Sequence, residues 1–160
     1  MAKISKNRRL VALLIVFFLV GLGVYLFHVA KRGSGDARID AEWEALTSEV
    51  MKLYGSGDYT QGVEVAKRAL QVAQQNHGSD HPNVALSLGN LAELYEAQKE
   101  YAKAEPLYKT SLEIMENEFG QNSPFLVQTL LNMASLYNNV GREDEAQRIM
   151  ERANNIQAKQ

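Results

Sequence analysis

The 160-residue chain has no cysteine. This excludes a disulfide framework, a thiolate zinc site, a cysteine nucleophile and a lipidated cysteine. Histidine is scarce as well, and only His77 and His81 lie outside the long apolar run described below. Without a serine- or aspartate-based motif at matching positions, they do not make a hydrolase. A phosphate loop is missing too, because Gly55-Ser56-Gly57 is not followed by lysine and has no flanking strand. Acid is absent from the first 32 residues, which carry six basic side chains; the other 128 hold 11 basic and 19 acidic ones. The net charge of −2 thus averages a +6 segment and a −8 segment. A nucleic-acid partner is excluded on that balance, because phosphate contacts need clustered Lys and Arg.

What is present begins with Leu10 to Ala30, 21 consecutive positions with no formal charge. As a helix this stretch is about 31 Å long, close to the ~30 Å hydrocarbon core of a bilayer. Gly21, Gly23 and His28 alone interrupt it, and His28 sits beside Tyr25 and Phe27 in the last turn, where interfacial rings belong. A cleaved signal peptide has a shorter apolar core and a small-x-small exit. Here the exit reads His28-Val29-Ala30-Lys31-Arg32, so a retained anchor is expected. Lys3, Lys6, Arg8 and Arg9 precede the span; Lys31, Arg32 and Arg38 follow it. That slight excess puts the amino terminus in the cytoplasm and the larger part outside. The expected organisation is a basic flank over 1–9, a single transmembrane helix over 10–30, a linker over 31–38 containing Gly33-Ser34-Gly35, and a domain over 39–160. The acidic domain is expected to stand off anionic headgroups.

The domain repeats itself. At an offset of 42, NLAELY (Asn90–Tyr95) falls on NMASLY (Asn132–Tyr137), and Gly78-Ser79-Asp80-His81-Pro82 falls on Gly120-Gln121-Asn122-Ser123-Pro124. Going back, Tyr59 meets Tyr101, and one residue is missing between Tyr54 and Tyr59 relative to Tyr95 and Tyr101. The repeats run over about 43–82, 83–124 and 125–157. Each copy reads as two helices. In the second, Leu88, Leu91, Ala92, Leu94 and Tyr95 make one stripe, and Tyr101, Ala104, Leu107, Tyr108, Leu112 and Met115 make the next. Gly78 and Gly120 are expected as left-handed helix ends, and Pro82 and Pro124 as first helical residues after a cap such as Ser123. His77, Asp80 and His81 are the one metal-like cluster. They bracket a turn rather than share a helix face, so no metal is expected. Glu113, Glu116 and Glu118 read as a solvated face. At the front, Ile39, Trp43, Leu46, Val50 and Leu53 form a stripe. In the last helix Ala146, Ile149, Met150, Ala153 and Ile156 are expected to point inward.

The segment NLAELYEAQKEYAKAEPLYKTSLEI, its 42-residue period and its G-x-x-H-P junction resemble the tetratricopeptide repeat of the kinesin-light-chain subtype. The resemblance covers about residues 43–157. It departs from the pattern at Thr47, Val50 and Met51, at Lys99 where a glycine is usual, and at Ser123-Pro124; Pro106 is tolerated with a kink. It implies an all-α fold, a short right-handed solenoid of three helix-turn-helix repeats whose concave face grips a peptide or protein segment. In the family the asparagine before the Leu-Ala pair meets the bound backbone, and Asn90 and Asn132 stand there. Residues on the same faces add Glu93 and Glu96 in repeat two, and Gln128, Ser135, Asn138 and Asn139 in repeat three. The acids favour a neutral or basic segment. The chain therefore reads as a non-enzymatic docking module of a single-pass membrane protein, placed at a bacterial inner membrane, without cofactor. Self-association into a homo-oligomer is the alternative.

Overall fold

The computed structural model describes residues 40–159. The flank over 1–9, the span over 10–30, the linker over 31–38 and Ile39 lie outside them. Among the described residues no helix is long and apolar enough to cross a membrane.

Six helices follow one another, with no strand among the described residues. They are α1 over residues 40–56, α2 (Tyr59–His77), α3 (Pro82–Ala97), α4 (Tyr101–Phe119), α5 (Val127–Asn139) and α6 (Glu143–Gln157), with a 3-10 turn at Pro124–Leu126 before α5. α4 passes through Pro106 as a single helix.

Three identical turns close the helix pairs. The N–H groups of Asp58, Glu100 and Arg142 donate to Leu53, Tyr95 and Tyr137 O at 3.0, 2.8 and 2.8 Å. Within each turn Gly57, Lys99 and Gly141 have φ of 79°, 63° and 75°. This is the Schellman closure, which satisfies carbonyls that the helix end leaves open. The left-handed residues thus sit inside the repeats, not at Gly78 and Gly120 as the sequence suggests. Those two have φ of 84° and 85° but ψ of 172° and 157°, an extended, positive-φ conformation essentially confined to glycine. They let the chain leave α2 and α4 abruptly. The next helix is then capped by His81 Nδ1, which accepts from Asn83 N at 3.1 Å, or by Ser123 Oγ, which accepts from Phe125 N at 3.3 Å.

The core runs across the repeats. Leu46 and Val50 of α1 pack with Val63, Ala66 and Ala69 of α2 and Leu91 and Leu94 of α3. Ala92, Ala104 and Tyr108 of repeat two share a cluster with Met133, Ala134, Tyr137 and Ala146 of repeat three. A third cluster joins Ala73, Val84, Leu88, Met115, Leu130 and Ile156. Each fully buried Leu contributes about 1.5–3 kcal/mol, so no single pair of helices could bury its stripe alone. Gly62 stands where later repeats have Ala104 and Ala146, and a Cβ there would lie 2.7 Å from Leu94 Cδ2. Two serines lock α3 in place. Ser87 Oγ, 1% exposed, accepts from Trp43 Nε1 and donates to Asn83 O, both at 2.8 Å. Ser111 Oγ donates to Ala85 O at 2.7 Å.

The last helix corrects two expectations. Met150 occupies the place of the buried Tyr108 but is 36% exposed, because among the described residues no further helix pair packs over it. Glu116 is not merely solvated: it pairs with Arg152 of α6 at 2.6 Å, and Arg152 also donates to Gln121 O at 2.8 Å. Arg142 ties the same end down, pairing with Glu105 at 2.9 Å and lying 4.1 Å over the Tyr137 ring.

Candidate functional site

The helical period decides which polar residues meet. On α5, Gln128, Asn132, Ser135 and Asn139 follow steps of four, three and four and so stay on one face. On α3, Glu96 and Ala97 lie three and four residues after Glu93 and share its face. These residues, with Tyr54 of α1 and Tyr108 of α4, line an open cavity of about 460 Å³. Asn90 lines a second pocket of about 120 Å³ with Val50, Met51, Tyr54 and Glu93. Of the eight site residues expected from the sequence, Asn138 lines neither. It is exposed, because one residue before Asn139 it is turned about 100° around the helix.

The side chains in the groove form two linked sets. Gln128 Nε2 donates to Asn132 Oδ1 at 2.8 Å, and Asn132 Nδ2 donates to Glu93 Oε1. Glu96 accepts from Tyr108 Oη at 3.1 Å, and from Ser135 Oγ and Asn139 Nδ2 at 3.0 Å each. Burial raises the Glu93 carboxyl above the usual carboxylate range; the Asn132 hydrogen bond opposes this and the Glu96 charge adds to it. Burial also pushes the Tyr108 hydroxyl far up, with the charges of Glu96 and Glu93 adding to the effect, so it stays a donor. The cavity wall holds no Lys, Arg or His. It is an anionic, amide-rich surface, able to donate to peptide carbonyls, accept from peptide N–H groups and attract a cation.

Tyr54, Tyr108 and Met51 are not among the groove residues expected from the sequence. Tyr108 reads as a member of the apolar stripe of α4. Its hydroxyl is the signal that distinguishes it from Phe, since a buried Tyr O–H needs a partner. Tyr54 follows Leu53, the last member of the α1 stripe, and nothing local marks it as a groove wall.

His77 and His81 stack at 4.1 Å between ring centroids, 17° apart. His77 Nε2 lies 2.7 Å from Asp40 Oδ1. One ring holds α1 to the end of α2 and the other caps α3. Among the described residues no group of His, Asp or Glu is arranged to hold a metal ion.

A family model described as Tetratricopeptide repeat matches residues 53–117 and 89–159. Among solved structures, BtubC (BKLC) from P. vanneervenii is 23% identical, with a TM-score of 0.71, over 76% of this chain and 48% of that one. Kinesin-light-chain TPR-like repeats from Podosopora anserina are 22% identical with a TM-score of 0.65, over 78% and 57%. The TPR domain of Arabidopsis FLU is 15% identical with a TM-score of 0.66, over 76% and 99%. The chain spans about half the length of the first two. At these identities the likeness is one of fold. No match is found among curated proteins.

Proposed function

The chain belongs to the tetratricopeptide repeat family, and from that premise we propose that it is a membrane-anchored docking module that holds an extended, neutral or basic protein segment in the groove between α1, α3 and α5. Folds of this family are in general protein-interaction scaffolds, and no catalytic role is assigned. The observation that carries the reading is the groove itself. Three helices from three repeats converge amides, hydroxyls and two carboxylates on one open cavity. Residues 10–30 supply the anchor, with the amino terminus cytoplasmic and the repeat domain outside, at a bacterial inner membrane. The role is that of a scaffold or assembly factor at the envelope surface.

The test is a block placed in the groove. Ser135 is exposed and 3.0 Å from Glu96, so Ser135→Arg lays a guanidinium across both carboxylates without disturbing the core. Crosslinking capture of partners from membranes is expected to fall about tenfold or more, while Glu113→Arg on exposed α4 surface leaves it intact. Equal loss, or no loss, from both variants would sink groove docking.

A second reading, self-association, is favoured by one observation. Val140 and Met150 of repeat three are 39% and 36% exposed. Light scattering of the full chain in micelles distinguishes it: a single-chain mass up to high concentration discards the reading.

A further inference from the structure

Repeat one presents an apolar side chain to the groove where its neighbours present polar ones. With the three closing turns superposed, at the offset of 42, Leu53 falls on Tyr95 and Tyr137, and Met51 stands where the other repeats have Glu93 and Ser135. Val50 takes the core place of Ala92 and Ala134, at 3% exposed against 0% and 1%, whereas Met51 is 69% exposed. Its side chain instead walls the smaller pocket with Val50, Tyr54, Asn90 and Glu93. An unbranched thioether beside an aromatic ring makes an adaptable apolar surface. Tyr54 and Glu93 are also walls of the larger cavity, so the two pockets adjoin. One is mainly apolar. The other carries Glu93 and Glu96, oriented by neutral donors and met by no base on the cavity wall.

We infer that the groove selects an extended segment with an apolar side chain followed two residues later by lysine or arginine. The apolar side chain rests on Val50, Met51 and Tyr54, and the cation lies between Glu93 and Glu96. The inference rests on the docking function proposed above and adds a two-part specificity to it. The spacing follows from geometry: in an extended chain residues i and i+2 face the same way, about 6–7 Å apart, which suits pockets that share two walls. Charge excludes the opposite choice, because a glutamate at the second position meets two carboxylates and no base.

The test uses the full-length chain in non-ionic detergent micelles and fluorescein-labelled nonapeptide pools. All positions are mixed Ser, Gly, Thr and Asn except two: Leu or Ser at position four, and Lys or Glu at position six. Anisotropy is expected to show the Leu/Lys pool binding about tenfold tighter than either the Leu/Glu or the Ser/Lys pool, a step of one decade in Kd for each pocket. Glu93→Gln/Glu96→Gln should erase the Lys-over-Glu preference and keep the Leu-over-Ser one. Met51→Ser, at an exposed site, should do the reverse. Equal binding of Lys and Glu pools, equal binding of Leu and Ser pools, preferences untouched by these variants, or no binding by any pool overturns the inference. Groove docking is read separately: if Ser135→Arg leaves every bound pool unaffected, the docking site itself is wrong.

Discussion

Lys99 shows how one residue departs from a rule that its repeats obey. Its φ of 63° matches the 79° and 75° of Gly57 and Gly141 in the equivalent turns, yet it carries a Cβ that the left-handed region disfavours. The side chain is exposed, so nothing in its surroundings repays the strain. Lys99→Gly is expected to stabilise the fold by about 0.5–1 kcal/mol, the gain in the native turn exceeding the extra freedom of the unfolded chain. The check is the urea midpoint of the variant, which must rise. The sequence shows Lys99 as the odd member of a set, and it identifies these turns as the short intra-repeat ones. It does not show which turns take the left-handed conformation, because Gly78 and Gly120 meet the same compositional rule with an extended ψ.

Between elements, hydrogen bonds decide what apolar stripes leave open. The stripes predict that α1 packs on its neighbours, but they are silent on how α1 is registered against α3. The bond from Trp43 Nε1 to the buried Ser87 Oγ sets that register at 2.8 Å. Ser87→Ala would leave the indole N–H without its partner in a half-buried site, at a cost of about 1–3 kcal/mol. The loss is expected to appear in equilibrium unfolding of the full chain, with hydrogen exchange accelerating first in α1. Unchanged exchange there would mean that Leu46 and Val50 alone hold the helix. Ser87 is invisible in the sequence for a simple reason: an isolated serine in an apolar stripe gives no sign of a partner 44 residues away.

For the whole molecule, the groove costs stability that the fold could otherwise keep. Burial raises the Glu93 carboxyl while Asn132 opposes the shift. The folded protein therefore binds that proton more tightly than the unfolded chain, and an ionised Glu93 is a liability at neutral pH. The liability fades as pH falls through the raised folded value. Glu93→Gln, which keeps an acceptor for Asn132, is expected to unfold at higher urea than the wild type at pH 7. By about pH 4 the two should coincide, since Glu93 is then largely protonated in both states. A constant difference across that range would place the effect in packing rather than charge. Under the docking function proposed above, this is stability given up for binding.

The sequence by itself determined the helical class, the 42-residue period, the positions of the turns and most of the inward-facing residues, because helix periodicity and end chemistry are local. It also placed seven of the eight expected polar residues on the faces that meet in the two pockets. The tertiary structure alone decided the rest. Asn138 turns away because of its rotation about α5; Met150 is uncovered because no described helix stacks on α6; Tyr108 lends its hydroxyl to a site on other helices. The joining of Met51, Tyr54, Glu93 and Glu96 in one groove depends on how α1, α3 and α5 lie side by side, and that is set by packing between residues some 40 positions apart in the chain.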